Sequence, residues 1–204
     1  MAYTYLDELT TPGVREAQAE NGAREQWADF SGSREFTRFD ANAHAFIAAR
    51  DSLYIASNSQ SGWPYLQHRG GPVGFIKLLD ETTLGMADFR GNRQYITLGN
   101  SKADDRVSLF LMDYPRRKRM KILAHLRVHE ANEEGLRKRI VDPDYPGEVE
   151  RLLVFKVFAY DWNCPQHIVP RYTKAQLAQS LAGMEAEMES LRQENARLRA
   201  QLGE

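Results

Sequence analysis

The sequence predicts a mainly β fold with accompanying helices (α+β), in which an antiparallel barrel of six to seven strands precedes a C-terminal coiled-coil helix. Short strand-like segments follow one another with few helices between them, which favours a barrel over a doubly wound sheet. From Thr173 onward the composition changes, and apolar side chains recur at heptad spacing. These observations predict a helical N-terminal extension over residues 1–42, the barrel over 43–172 and the coiled coil over 173–204.

Composition and charge exclude several classes of function. The 204 residues are 42% hydrophobic and 27% charged, as in a globular protein, and the net charge of −1 provides no field to attract nucleic acid or a membrane. The single cysteine, Cys164, excludes an intrachain disulfide and a cysteine-rich metal site. Asp7 and Glu8 interrupt any signal peptide, and no stretch approaches the ~20 apolar residues of a membrane span. We therefore expect a cytoplasmic protein.

The first 50 residues contain two predicted helices. Pro12 and Gly13 open a helix over residues 14–26 within the polar extension. Residues 41–50 place apolar side chains at helical spacing, which predicts a helix packed on the sheet. A third short helix is predicted later in the chain, over residues 133–140.

The strands are predicted from period-two alternation and from turn residues at their ends. The clearest alternation lies in residues 122–129, where Ile122, Ala124, Leu126 and Val128 point inward. Residues 106–113 are apolar on both faces, which predicts that both faces are covered. The predicted strands are residues 53–57, 65–69, 75–79, 83–89, 106–113, 122–129 and 151–160.

Two polar motifs are not predicted to bind nucleic acid or a metal. The basic run at residues 116–121 lies in a turn between strands and lacks interleaved aromatic residues, so we interpret it as a solvated hairpin tip rather than a nucleic-acid site. His125 and His129 share one strand face but lack a third ligand, so we predict no metal site.

The segment from Trp63 to Asn100 contains the strongest functional signal. After the strand at residues 83–89, Asn92 is predicted to cap a short helix that ends at Gly99. The amides of the first helical turn, together with Arg90 and Arg93, would form an anion site suited to a phosphorylated small molecule. Alternatively, the two arginines are solvated charges in an ordinary turn, and the local pattern does not decide between these interpretations.

The C-terminal heptads predict a parallel two-stranded coiled coil. Its d positions are Leu177, Met184, Leu191 and Leu198, and its a positions are Leu181, Met188, Asn195 and Leu202. Glu187 would face Arg192 of the partner subunit, and Glu194 would face Arg199 of the partner subunit, as the geometry of a parallel pair requires. A single amide at an a position favours two strands in register. We therefore expect a homodimer.

Four motifs, in the same order along the chain, resemble a known family. They read HRGGPVGF, ADFRGNRQY, DRVSLFLMDYPRRKRMKIL and DWNCPQHI, and the likeness extends over about residues 11–172. The sequence resembles the FMN-binding split-barrel proteins related to pyridoxamine 5'-phosphate oxidase, and more narrowly the oxidase-like subgroup rather than the true vitamin B6 oxidases. The resemblance implies a Greek-key split barrel in which two subunits share each FMN across the barrel interface.

The resemblance also assigns cofactor-binding roles by position. Near the FMN phosphate and ribityl chain it places Ala87, Asp88, Asn92, Arg93 and Gln94. Along the flavin ring it places Gln67, His68, Arg69 and Gly70. In the C-terminal segment that approaches the ring, commonly from the other subunit, it places Trp162, Asn163, Gln166 and His167. No side chain is assigned as catalytic, because the flavin itself would carry the hydride chemistry.

The implied function is an FMN-dependent homodimeric oxidoreductase that transfers a hydride between flavin N5 and a small molecule. The true vitamin B6 oxidases carry an RxxLLK-like strand and an Arg-rich C-terminal segment, where this chain reads QHRGGP and NCPQHI; this departure argues against pyridoxamine phosphate as the substrate. The alternative is a non-catalytic flavin-binding redox or stress sensor that contacts a partner through its coiled coil. A third possibility keeps the barrel and replaces FMN with a deazaflavin or haem.

Overall fold

The computed structural model describes residues 4–28 and 36–202, and the chain divides into two compact units. The larger unit comprises residues 1–113 and 118–165, and the smaller one comprises residues 114–117 and 166–204. The predicted N-terminal extension includes residues 1–3 and 29–35, which lie outside the described part of the chain.

The larger unit is built on one antiparallel sheet of seven strands, in the order β2-β1-β5-β6-β7-β4-β3. The strands are β1 (Ser52–Asn58), β2 (Pro64–Gly70), β3 (Lys77–Asp80), β4 (Thr83–Phe89), β5 (Arg106–Asp113), β6 (Lys118–Glu130) and β7 (Val149–Trp162). All seven predicted strands are present, which confirms the predicted α+β class with an antiparallel sheet. The prediction is inaccurate at β3, because Phe75 and Ile76 are buried in the turn that precedes the strand rather than paired within it.

Six helices accompany the sheet in the described part of the larger unit. They are α1 (Thr4–Leu9), α2 (Pro12–Glu20), α3 (Arg24–Ala28), α4 (Ala41–Ala48), α5 (Ile96–Ser101) and α6 (Glu134–Ile140). The predicted single helix over residues 14–26 is wrong: the chain turns at Asn21 and Gly22, and Gly22 has a φ of +66° that a helix cannot contain. Helix α1 has no counterpart in the prediction, since six residues are too few to show a helical period.

The core lies on the inward face of the sheet. Ile122, Ala124 and Leu126 of β6 are each less than 5% exposed, as their alternation predicts. On β5 the inward face is buried, as predicted. Phe110 and Met112 on the other face are only half-buried, so that face is covered less completely than predicted. Helix α4 packs on the core through residues including Phe46 and Ile47.

Strand β4 is the most deeply buried strand, because α6 covers its second face. Leu84 and Met86 point into the main core, whereas Ala87 lies in a second cluster with Ile140 of α6. A Cβ at Gly85 would lie 2.7 Å from the Ile140 side chain, so α6 can approach this closely only over glycine. Asp88 follows on the main-core face, and this alternation directs its carboxylate into the site described below.

The smaller unit contains one long helix, α7 (Lys174–Leu202). Its start is fixed by a reciprocal pair of hydrogen bonds, from the Gln176 amide to Thr173 Oγ1 at 3.2 Å and from the Thr173 amide to Gln176 Oε1 at 2.9 Å. Every helix among the described residues is too short or too polar to cross a membrane.

Candidate functional site

A pocket of about 170 Å³ opens between β2, β4, β6, β7, α5 and the loop that joins β4 to α5. Leu126, Val128 and Leu153 supply an apolar wall. Three guanidinium groups and two carboxylates supply the charge: Arg69, Arg93 and Arg151 against Asp88 and Glu150. The lining is therefore polar and carries an excess of positive charge.

The buried carboxylate of Asp88 binds two of these arginines. Arg69 Nη1 donates to Asp88 Oδ1 at 2.7 Å, and Arg151 Nε donates to Asp88 Oδ2 at 2.9 Å. The Asp88 side chain is only 6% exposed, so both carboxylate oxygens exchange water for a charged donor. Arg69 lies on β2 and Arg151 lies on β7, so Asp88 links the guanidinium groups of two strands that line the pocket. Arg69 Nε is buried and has no hydrogen-bond partner within the described residues.

Glu150 organises a second set of contacts at the rim of the pocket. It accepts from Arg90 Nε at 2.9 Å, Arg151 Nη2 at 2.6 Å and the Tyr95 hydroxyl at 3.1 Å. These hydrogen bonds hold the pKa of Glu150 below its ordinary value, and the bond from Arg90 has the largest effect. The pKa of Arg151 is raised: desolvation opposes the shift, but its bonds to Asp88 and Glu150 outweigh that cost.

The predicted pairing of Arg90 with Arg93 in one anion site is not what the structure shows. Arg90 Nη1 also contacts Glu148 at 2.6 Å, so two carboxylates already neutralise its charge. Arg93 is exposed on the pocket wall and makes no ion pair with any described residue. Of the two arginines, only Arg93 is therefore free to receive an anion.

The loop that carries Arg93 is held in an unusual backbone conformation. Arg93 and Tyr95 have φ values of +62° and +53°, in the left-handed region that non-glycine residues seldom adopt. The Asn92 side chain accepts from the amide of Gln94 at 3.2 Å, which stabilises a local turn. The predicted helix cap at Asn92 is wrong, because Tyr95 occupies the cap position and α5 begins at Ile96. The first turn of α5 therefore does not begin at Asn92 as predicted, and any anion contact must come from Arg93 and the amides of the loop before the helix.

Two side-chain hydrogen bonds hold α5 against the strands. Thr97 Oγ1 donates to Gln67 Oε1 on β2 at 3.2 Å, and Asn100 Nδ2 donates to Ser57 Oγ on β1 at 3.0 Å in a buried position. Because Gln67 uses its oxygen for Thr97, its amide NH₂ group remains available as a donor to a ligand.

The other residues predicted on β2 and β4 do not line this pocket. His68 lies on the opposite face of β2, where its ring packs edge-on against Tyr54 with centroids 5.5 Å apart. Gly70 ends β2, and Ala87 points towards α6. Successive residues on a strand point to opposite faces, so Gln67, Arg69 and Asp88 reach the pocket and their neighbours His68 and Ala87 do not.

Trp162 and Asn163 do not line the pocket of their own chain. Trp162 pairs with Met120 at the far end of β6, and its ring packs on Phe46 with centroids 4.9 Å apart. Along β7, Trp162 and Asn163 follow Arg151 by roughly 35 Å of extended chain. The buried Asn163 Oδ1 has no hydrogen-bond partner among the described residues. Gln166 and His167 belong to the smaller compact unit.

Several pocket residues have no counterpart in the sequence-based prediction. They are Tyr65, Tyr95, Thr97, Glu150 and Arg151. A usable signal exists for Arg151: it is a charge at the start of a mainly apolar strand, and buried charges require partners. The pairing of Arg151 with Asp88 joins positions 63 residues apart, and no local pattern reveals such a contact.

No group of three metal-ligating side chains occurs within residues 4–28 and 36–202. His125 contacts Asp105 at 2.8 Å, and His129 contacts Glu133 at 3.1 Å. Both histidines therefore serve as hydrogen-bonding groups on the sheet surface.

The donor set suits an anionic, phosphorylated ligand. A phosphate requires a free cation and unsatisfied donors, which Arg93, the loop amides and the Gln67 amide provide. The pocket is smaller than the ~300–1,000 Å³ that typically encloses an organic ligand. The pocket of one chain is therefore small for a whole dinucleotide-sized or flavin-sized ligand.

Comparisons with known proteins give matches among solved structures. No protein-family profile and no curated protein matches the chain. The chain is similar to a putative pyridoxamine 5'-phosphate oxidase from Lactobacillus delbrueckii, at 18% identity and a TM-score of 0.47, covering 61% of this chain and 94% of that one. It is also similar to a Clostridium acetobutylicum protein that is related to general stress protein 26 and described as of the pyridoxinephosphate oxidase family. The identity is 12% and the TM-score is 0.41, and the match covers 60% of this chain and 85% of that one. An F420 reductase matches at 14% identity and a TM-score of 0.40, covering 58% and 94%. The matches thus include structures described by the family name that the sequence motifs resemble.

Proposed function

We propose that this chain is a flavin-binding oxidoreductase of the pyridoxamine 5'-phosphate oxidase-like split-barrel family, and that its pocket binds the phosphate of FMN. The observation that carries the proposal is the contrast between Arg93 and the other arginines around the pocket. Arg69, Arg90 and Arg151 are each bound to carboxylates, whereas Arg93 has no ion-pair partner in the described chain. A free guanidinium beside loop amides and a glutamine donor matches a dianion in both charge and hydrogen bonding.

The remaining pocket residues prepare the site for the ligand. Asp88 fixes Arg69, whose positive charge would then lie on the strand that the family resemblance aligns with the flavin ring. A fixed cation near the ring favours the anionic reduced cofactor over the oxidised one. Bound FMN would supply hydride transfer to or from a small-molecule substrate, so the protein itself needs no nucleophile.

We further propose that two copies of the chain complete each site. The pocket of one chain is small for a whole flavin, and Trp162 and Asn163 lie far along the chain from Arg151 at the start of β7. A second copy that presents its Trp162–Asn163 segment would supply the missing contacts.

The test is a fluorescence titration of flavin-free, full-length protein with FMN and with riboflavin. Charge-assisted hydrogen bonds contribute ~1.5–3 kcal/mol, so FMN should bind about 10- to 150-fold more tightly than riboflavin, which lacks the phosphate. Equal affinity for the two would contradict the proposed phosphate site. If the absorption spectrum of the purified protein were that of haem or of a deazaflavin, the cofactor would be that group and not FMN.

A second measurement, on the FMN-loaded protein, distinguishes between the enzyme function and the sensor function. Stopped-flow absorbance after addition of NADH or NADPH should show reduction, followed by reoxidation with a small-molecule acceptor. Absence of turnover with every donor, together with binding of a protein partner in only one redox state, would favour the sensor.

A further inference from the structure

Helix α7 presents a continuous apolar seam to solvent. Six large apolar side chains along it are 46–61% exposed: Leu177, Leu181, Met184, Met188, Leu191 and Leu198. The helix has 29 residues and is therefore about 44 Å long. A seam of this length is costly to leave in water, and a helix of this composition is only marginally stable alone.

We infer that α7 pairs with α7 of a second copy of this chain as a parallel, in-register, two-stranded coiled coil. The heptad spacing establishes that the occupant is a helix with the same period, and the charges beside the seam identify it as a second copy. In a parallel pair, Glu187 faces Arg192 of the partner subunit, and Glu194 faces Arg199 of the partner subunit. By symmetry each contact occurs twice, so four flanking contacts are attractive.

The opposite orientation is disfavoured by the same residues. A fully overlapping antiparallel pair would place Glu187 beside Glu194 of the partner subunit, and like charges repel. It would also place Asn195 opposite Met184 of the partner subunit, where the buried amide has no hydrogen-bonding partner. In the parallel pair Asn195 meets its own copy, and the two amides can hydrogen-bond with each other.

The pairing has a consequence for the rest of the chain. Parallel helices with interaxial distances of ~8–10 Å bring both Lys174 residues to the same end of the coil. The two larger units would then be tethered together at an effective concentration in the millimolar range. Once the helices have paired, association of the two larger units would depend on this effective concentration and would not require bound cofactor.

The test is disulfide trapping in the full-length, flavin-free protein, with Cys164→Ser removing the native thiol. A cysteine at d position 198 (Leu198→Cys) should cross-link most chains in a glutathione redox buffer, because only a parallel pair places the two sulfurs within bonding range. The matched control is Gln193→Cys on the outer face of the helix, which should remain uncross-linked. Circular dichroism confirms that both variants keep their helix.

Two results would overturn the inference. In an antiparallel pair residue 198 lies about 26 Å from its copy, so Leu198→Cys would not cross-link with itself but would cross-link with chains carrying Leu181→Cys. Equal cross-linking of Leu198→Cys and Gln193→Cys would show random collision rather than a seam. Because the protein contains no flavin, these outcomes are independent of the proposed FMN site.

Discussion

Arg69 on β2 donates to Asp88 on β4 at 2.7 Å, although the two strands occupy the first and sixth positions of the sheet. The sheet must therefore curl until strands that share no backbone hydrogen bonds bring their side chains together. Arg151 on β7 reaches the same carboxylate at 2.9 Å. One buried aspartate thus links β2 to β7 across the pocket and neutralises two of its arginines.

Replacing Asp88 should destabilise the fold. Asp88→Asn keeps the shape of the side chain but leaves Arg69 and Arg151 without their counter-ion. Removing one partner of a fully buried pair costs ~3–5 kcal/mol. Because these guanidiniums are 18–20% exposed, we expect a loss of about 2–4 kcal/mol in the free energy of unfolding. Urea denaturation measures it, with Asp144→Asn in an exposed loop as the control; equal midpoints for the two variants would refute the linking role of Asp88.

Removal of Arg93 should weaken FMN binding without affecting stability. Its side chain is exposed and makes no ion pair among the described residues, so Arg93→Ala removes only the contact to the phosphate. We expect the Kd for FMN to rise about 10- to 100-fold while the Kd for riboflavin stays unchanged. The matched control is Arg127→Ala, which removes the same charge from the outer face of β6. A similar loss of affinity in both variants would indicate a general charge effect rather than a phosphate contact.

Acid should reduce stability through Glu150. Its pKa is lowered in the folded protein by Arg90, Arg151 and Tyr95, so the unfolded chain takes up a proton at higher pH than the folded chain does. The stabilisation is complete above the ordinary glutamate pKa of ~4.3 and is lost as the pH falls through the lower folded value. Urea denaturation curves at pH 7, 5, 4 and 3 should show that the wild type is more stable than Glu150→Gln at pH 5 and above. The difference should shrink below pH 4, and a constant difference across this range would contradict the assignment.

The amide of Asn195 in the apolar seam of α7 should lower the stability of the coiled coil and restrict it to two strands. Asn195→Ile replaces a polar contact between two copies with an apolar one, so the melting temperature of the helix should rise. The same change removes the restriction to two strands, so light scattering should detect species larger than a dimer. Gln193→Ile on the outer face should do neither. If Asn195→Ile melts no higher than wild type, Asn195 does not lie in the seam.

The sequence predicts the strands well because their signals are local. Period-two alternation places β6, and the buried residues Ile122, Ala124 and Leu126 follow directly from it. Helices α4 and α6 are also found at their predicted positions, since their apolar residues recur at helical spacing.

The site was only partly predictable because its contacts are distant in the sequence. A motif places residues 87–94 near one another, but strand parity decides that Asp88 faces the pocket and Ala87 faces α6. The pairing of β4 with β7 brings Arg151 to Asp88, and the neutralisation of Arg90 by Glu148 and Glu150 depends on the same pairing. The left-handed Arg93 likewise has no signal in a sequence without glycine at that position.

The most direct test of the account is a crystal structure of the full-length protein grown with FMN. We predict the phosphate against the Arg93 guanidinium and the amides of the loop between β4 and α5, with the ring leaving the pocket towards a second copy of the chain. FMN bound with its phosphate elsewhere, or Arg93 in contact only with solvent, would contradict it.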